Sequence, residues 1–121
     1  QPAQPWAGVR QATAFGSDCA QAPGDAEPLR TTPSEDCLFV NVWQPAGTAA
    51  GAQLPVLVWI HGGGFVGGGS SIAYYDGSAF ARKGIVVVSF NYRLGRLGFF
   101  AHPRCSPRAR ARSATSASWT R

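Results

Sequence analysis

The sequence contains no apolar run of about 18 residues, the length that a membrane-spanning helix requires, so no transmembrane helix is expected. It also lacks a basic segment followed by an apolar segment and a small-residue cleavage site, the signature of a secretory leader. Because the chain begins at Gln1 without a methionine, this second absence does not exclude a leader. Its 121 residues, 45% of them hydrophobic, suffice for one small domain or for part of a larger one.

Excess positive charge is missing from most of the chain, although the formal net charge is +5. Residues 1–103 carry as many basic as acidic side chains. The excess is confined to five arginines near the C-terminus: Arg104, Arg108, Arg110, Arg112 and Arg121. Since a nucleic-acid-binding domain carries basic side chains clustered on a folded face, we expect no nucleic-acid partner. Binding of nucleic acid through the arginine-rich tail is the alternative.

Regular structure is predicted between the two ends of the chain. Residues 1–35 are rich in Pro, Ala, Gln and Asp and predict surface loop. CLFVNVWQP (37–45) predicts a strand, and PVLVWI (55–60) and IVVVSFNY (85–92) are typical of strands buried on both faces. SAFARKG (78–84) predicts a short helix ending at its glycine. This order predicts a βαβ unit of an α/β fold, and three strands with one helix indicate part of a fold, because they cannot cover both faces of a sheet.

The glycine-rich run HGGGFVGGG (61–69) follows the second predicted strand. A phosphate-binding loop requires a lysine that is missing at the necessary position. A dinucleotide fingerprint fits Gly62, Gly64 and Gly67 by spacing, but its acidic residue should follow the next strand, whereas Asp76 precedes that strand. The third interpretation is an HGGG-type oxyanion loop, in which bare backbone N–H groups stabilise the negative oxygen of a tetrahedral intermediate. A mobile glycine turn without a ligand is the remaining alternative.

Three linked motifs, EDCLFVNVWQP (35–45), LPVLVWIHGGGF (54–65) and NYRLGRLGFFAHP (91–103), resemble signatures of the type-B carboxylesterase family, which includes the cholinesterases. The N-terminal segment PAQPWAGVRQATAFGSDCAQ also resembles the early loop region of that family. The resemblance covers residues 2–103. It implies a partial α/β-hydrolase fold with a mostly parallel, doubly wound sheet that is incomplete in this chain.

The resemblance also implies roles for the glycine loop. Gly63 and Gly64 would supply the oxyanion-hole N–H groups, and Gly62 would shape the turn. His61 would orient the loop through hydrogen bonds, since the catalytic histidine of this family lies near the far end of the chain. Phe65 would line the acyl pocket or the top of the sheet, with plain core packing as the alternative.

Cys19 and Cys37 occupy the places of the first disulfide of the family. The resemblance therefore implies a bridge between them, with two buried free thiols as the alternative. A disulfide implies an oxidising compartment, so a secreted or other extracytoplasmic location is expected. Cys105 lies outside the resemblance.

No G-x-S-x-G motif occurs, so the nucleophile elbow of the α/β hydrolases is not within this sequence. The resemblance implies the N-terminal fragment of a serine esterase that supplies the oxyanion loop to a small-molecule carboxylic ester substrate. Serine, base and oxyanion donors suffice for this reaction, so no cofactor and no metal are expected. A catalytically inactive, cholinesterase-like binding or adhesion module is the alternative.

Residues 104–121 have neither apolar periodicity nor resemblance to the family. We interpret them as a basic tail read out of frame, following a slip of one nucleotide just after Pro103. In the shifted frame, codons for Pro103, Arg104 and Cys105 permit Ala-Leu, which resembles the continuation of the family. The domain boundary is therefore predicted at residue 103.

Overall fold

The computed structural model describes residues 5–23 and 28–101. The predicted tail, Cys105 and the boundary at residue 103 lie outside these ranges. Within them the chain forms three strands, β1 (Val40–Trp43), β2 (Val56–Ile60) and β3 (Val86–Phe90). It also forms two short helices, α1 (Ser78–Ala81) and α2 (Gly95–Phe99), and a 3₁₀ turn at Ala73–Tyr75. The three predicted strands and the predicted helix are present with narrower bounds, and α2 was not predicted.

The strands form one sheet in the order β1-β3-β2. β2 pairs with β3 in parallel, from Val56 opposite Val86 to Ile60 opposite Phe90. This pairing confirms the βαβ unit, because α1 connects two neighbouring parallel strands. β1 pairs with β3 antiparallel, so the sheet in the described part is mixed and small.

The helix α1 is bounded by two local signals that the sequence contains. At its start, Asp76 Oδ1 accepts a hydrogen bond from the Ser78 backbone N–H at 2.8 Å. Hydrogen bonds from the side chain and the backbone of Ser78 hold the pKa of Asp76 below its ordinary value of 3.8. At its end, Gly84 has φ +83°, and the Ile85 N–H donates to the Phe80 carbonyl. The helix itself ends at Ala81, three residues before the predicted end, and Gly84 closes the turn that follows it, since glycine adopts this conformation without a Cβ clash.

The prediction that β2 is buried on both faces was wrong for the described residues. All five of its residues are exposed, and Val56 and Ile60 each retain 60% of their accessible surface. β2 is an edge strand of this sheet, and the described elements leave its side chains largely uncovered. β3, which lies between two strands, is more covered and buries Val87 and Ser89.

The best-buried side chains are mostly polar. Asp18, Cys37, Ser71 and Ser89 are the largest fully buried ones, and the main apolar cluster is small and contains Cys19, Cys37 and Leu94 with Tyr92 against it. The prediction of surface loop for residues 1–35 was therefore wrong at Asp18 and Cys19. Both are buried because this segment packs against the end of the glycine run, as the hydrogen bonds described below show.

Candidate functional site

The glycine run connects the C-terminal end of β2 to the 3₁₀ turn. Because β2 and β3 are parallel, the residues that follow β3 reach the same edge of the sheet, and Asn91 and Tyr92 lie beside the run. Ligands of parallel α/β sheets bind at this edge, beyond the carboxyl ends of the strands. The fold therefore places the predicted loop where a binding site is expected.

The run divides into an exposed half and a buried half. Residues 62–66 are exposed, whereas residues 68–72 are buried. Gly63, Gly64 and Phe65 have successive positive φ angles of 122°, 60° and 63°. The Gly63 carbonyl accepts hydrogen bonds from the N–H groups of Val66 and Gly67, both at 3.1 Å, so the exposed half is one left-handed turn.

The first N–H groups of a helical turn have no carbonyl within that turn to bond. Among the described residues, nothing accepts a hydrogen bond from the N–H of Gly63 or from that of Gly64. These two donors lie on adjoining peptide groups in the exposed half of the run. Such a pair can bind an anionic oxygen.

The direction of each donor is fixed through the carbonyl of the same peptide group. A trans peptide is planar, so its C=O and N–H point in opposite directions. His61 Nδ1 lies 2.9 Å from the Gly62 carbonyl oxygen and must carry a proton there, because a carbonyl oxygen only accepts. This bond orients the N–H of Gly63. The bonds from Val66 and Gly67 to the Gly63 carbonyl orient the N–H of Gly64 in the same way.

His61 is itself held in place. It is 3% exposed, its ring stacks on that of Tyr92 with centroids 4.3 Å apart, and its backbone carbonyl accepts a hydrogen bond from the Tyr92 hydroxyl at 2.7 Å. Burial, and to a lesser degree the nearby Tyr75, raises the pKa of Tyr92 above its ordinary value of 10.0. The phenol therefore remains a donor at neutral pH.

Phe65 lies at the tip of the loop and is 61% exposed. Its ring contacts Phe99 edge-on, with centroids 5.0 Å apart, and Tyr92 at 6.3 Å. Its carbonyl accepts a hydrogen bond from the Gly95 N–H at 2.7 Å, which links the turn to the first residue of α2. Phe65 thus joins the loop to α2, and much of its ring remains exposed.

The buried half of the run is anchored by side chains that were not singled out in the sequence. Ser70 donates its N–H to Asn91 Oδ1 at 2.8 Å, and its hydroxyl accepts from Asn41 Nδ2 at 2.9 Å. Ser71 donates both its hydroxyl and its N–H to the Asp18 carboxylate. One feature of the sequence could have pointed to these anchoring residues: Asn41 and Ser89 are polar residues that interrupt apolar strands. The structure places them opposite each other in the sheet.

Cys19 and Cys37 form a disulfide, with their Cα atoms 4.8 Å apart. The bridge joins the segment that carries Asp18 to the residues preceding β1. Both cysteines are buried, at 2% and 1% exposure, so the disulfide is part of the small apolar cluster.

The described residues contain no cluster of three or more His, Cys, Asp or Glu side chains suited to a metal ion. In the same part of the chain, no helix is long and apolar enough to cross a membrane. Within the described residues, the site instead presents the N–H groups of Gly63 and Gly64, which no described residue accepts. The fold and site together define an α/β protein with an exposed glycine turn, carrying two unbonded N–H groups, at the carboxyl ends of its parallel strands.

Comparison with known proteins identifies the family. The profile of the carboxylesterase family matches residues 1–106, and the chain belongs to this family. The family implies an α/β-hydrolase fold, of which the three-stranded sheet is a part.

Three relatives illustrate the similarity. The chain is 50% identical over 106 residues to the fumonisin B1 esterase of Sphingopyxis macrogoltabida, a match covering 87% of this chain and 19% of that protein. It is 48% identical over 104 residues to the para-nitrobenzyl esterase of Bacillus subtilis (strain 168), covering 82% and 21%. It is 46% identical over 111 residues to the cocaine esterase of Oryctolagus cuniculus, covering 84% and 20%. The chain thus spans about a fifth of the length of these relatives.

Proposed function

We propose that this chain is the N-terminal part of a carboxylic ester hydrolase and that it supplies the oxyanion hole of that enzyme. The observation that carries the proposal is the pair of unbonded N–H groups of Gly63 and Gly64, each oriented by hydrogen bonds to the carbonyl of its own peptide group. Membership of the carboxylesterase family supports the reaction type. A small-molecule carboxylic ester is the corresponding substrate class.

In the proposed reaction, a serine hydroxyl from the rest of the enzyme attacks the ester carbonyl carbon, and a histidine takes the serine proton. The carbonyl oxygen becomes negative and accepts hydrogen bonds from Gly63 and Gly64. The C–O bond to the alcohol then breaks, and the alcohol leaves with the proton. Water hydrolyses the resulting acyl-enzyme by the same two steps. Each oxyanion donor contributes about 3–4 kcal/mol to the transition state.

The remaining roles follow from the contacts of the loop. His61 acts as a positioning residue, because its ring holds the Gly62 carbonyl. Gly62 supplies that carbonyl, and Phe65 borders the substrate surface next to α2. The complete enzyme is proposed to continue the sheet beyond the exposed edge strand β2, giving the mostly parallel, doubly wound arrangement expected from the family.

The Cys19–Cys37 disulfide supports a secreted or otherwise extracytoplasmic location, since such bridges persist in oxidising compartments. We further propose that the esterase segment ends at residue 103 and that residues 104–121 are read out of frame.

The function is tested on the complete protein that contains residues 1–103. We expect it to hydrolyse p-nitrophenyl esters and to be inactivated in a one-to-one ratio by a serine-directed organophosphonate. A folded protein that neither turns over these esters nor reacts with the phosphonate would refute the enzyme. That result would favour an inactive binding or adhesion module instead.

A further inference from the structure

The side chain of Gln21 makes a set of hydrogen bonds that the esterase chemistry does not itself require. Its Oε1 accepts from the Gly68 N–H at 2.8 Å, and its Nε2 donates to the Gly68 carbonyl at 2.8 Å. The same Nε2 donates its second proton to the Cys19 carbonyl at 2.9 Å. The amide group therefore pairs with both backbone groups of one glycine, as an adjacent strand would.

Gly68 is the residue at which the exposed half of the run meets the buried half. It is buried and has φ +99°. A Cβ at this position would overlap the Gly62 carbonyl oxygen and lie 3.0 Å from His61 Nδ1. The backbone of Gly68 is therefore packed directly against the two groups whose hydrogen bond orients the N–H of Gly63.

A second connection runs through Gly67. The Gly68 N–H and the Gly67 carbonyl belong to one planar peptide group, so the bond from Gly68 to Gln21 also fixes the Gly67 carbonyl. That carbonyl lies against the Cα of Gly63, and the Gly67 N–H donates to the Gly63 carbonyl. Rotation of the Gly67–Gly68 peptide would consequently move the Gly67 carbonyl against Gly63, the residue that links the peptide groups of the two proposed oxyanion donors.

We propose that Gln21 is a positioning residue that holds the oxyanion loop in its donor geometry through its hydrogen bonds to Gly68, in the buried half of the run. This proposal rests on the proposed function, since it assigns Gln21 a role in the same site. The bond to the Cys19 carbonyl fixes Gln21 relative to the Cys19–Cys37 disulfide. Through Gln21, the loop is therefore aligned relative to the disulfide-bonded segment.

The test uses two substitutions in the complete enzyme that contains residues 1–103. Gln21→Leu removes all three hydrogen bonds. Gln21→Glu keeps the acceptor for the Gly68 N–H but replaces the donor with a carboxylate oxygen facing two carbonyls. Gln53→Leu is the matched control, because Gln53 is an exposed glutamine with no hydrogen bond to any described residue.

We expect both Gln21 variants to lower kcat about tenfold, less than the 10²–10³ that follows removal of an oxyanion donor. KM should change less than about threefold, because the donors act mainly on the charged intermediate. The inhibition constant of a trifluoromethyl ketone, which forms a tetrahedral adduct with serine, should rise by the factor by which kcat/KM falls. Gln53→Leu should leave all three quantities unchanged.

Hydrogen exchange monitored by mass spectrometry supplies a readout that does not depend on activity. In both Gln21 variants, peptides covering residues 62–71 should exchange about tenfold faster, while peptides covering 86–90 keep the wild-type rate. If the wild-type protein hydrolyses esters but the Gln21 variants retain its kcat and its exchange rates, the positioning role is refuted and the proposed function stands. If the wild-type protein has no esterase activity, the proposed function fails. The exchange comparison then still decides whether Gln21 holds the loop.

Discussion

Replacement of Gly63 by alanine tests the oxyanion assignment most directly, because the structure resists a side chain there in two ways. Gly63 has φ +122°, a conformation that residues with a Cβ rarely adopt. A Cβ built on Gly63 would lie 2.6 Å from the Gly67 carbonyl carbon and closer still to its oxygen, whereas real Cβ atoms keep at least 3.0 Å from other heavy atoms. The loop must therefore change shape to accept the substitution.

The size of the effect follows from the distance tolerance of the donors. Relieving the overlap moves the Gly63–Gly67 backbone by roughly 1 Å, and a misplacement of that size can cost about a hundredfold in rate. Oxyanion donors act at about 2.7–3.1 Å from the developing charge, so such a shift removes most of their effect. We expect Gly63→Ala to lower kcat of the complete enzyme by about a hundredfold or more, with a smaller change in KM.

The neighbouring glycines provide graded controls. Gly64 has φ +60° but open space around its Cα, so Gly64→Ala can keep the backbone at a cost of about 1–2 kcal/mol and should lower kcat less. Gly62 has neither a left-handed φ nor a close neighbour, so Gly62→Ala should show the smallest loss. Steady-state kinetics on p-nitrophenyl esters, with circular dichroism to verify folding, measures the series. A folded Gly63→Ala enzyme with near-wild-type kcat would refute the reasoning.

Three further predictions concern other parts of the chain. Non-reducing peptide mapping of protein from an oxidising compartment should recover Cys19 linked to Cys37, and two free thiols would contradict this. Tyr92→Phe should lower the free energy of unfolding by about 1 kcal/mol through loss of the hydrogen bond to the His61 carbonyl. Because the pKa of Tyr92 is raised above 10.0, its contribution is complete below pH 10.0 and is lost as the pH rises through the folded-state pKa, which urea titrations at pH 8 and above can follow. The DNA beyond codon 103, read in the shifted frame, should continue into a strand followed by G-x-S-x-G, and any other continuation refutes the slip.

The strands could be predicted from the sequence because their composition differs from that of their surroundings. VLVWI and VVVSF are apolar and rich in β-branched residues, and both are strands in the structure. The turn that follows α1 and closes at Gly84 could be expected from the ordinary preference of glycine for positive φ, although the helix itself ends at Ala81. Pairing direction was predicted only for β2 and β3, because a helix between two strands favours a parallel pair, whereas nothing local to 37–45 specifies an antiparallel neighbour.

The position of the glycine loop directly after β2 could be predicted, but its anchoring could not. The motif HGGGF indicates backbone N–H groups that are not shielded by side chains. The hydrogen bonds that anchor the glycine run come from Asp18, Gln21 and Asn91, which are distant in sequence. Single polar residues in loops have no periodicity, so their partners become visible only in three dimensions. The helix α2 was missed for a related reason: GRLGF contains two glycines and has too few residues for an apolar period to appear.

The strand order β1-β3-β2 has a consequence for synthesis on the ribosome. β3 is made last, yet it is the neighbour of both other strands. β1 and β2 therefore leave the ribosome without a partner in this sheet. They stay unpaired until about 30 residues after Ile60 have been synthesised, which takes roughly 2–6 s at about 5–20 residues per second. Asn91, which accepts a hydrogen bond from the Ser70 N–H, follows β3 directly. The glycine run can therefore be anchored as soon as β3 pairs with the other two strands. During that interval the nascent chain exposes apolar strands with unpaired edges, the state in which a folding chain is most prone to aggregate.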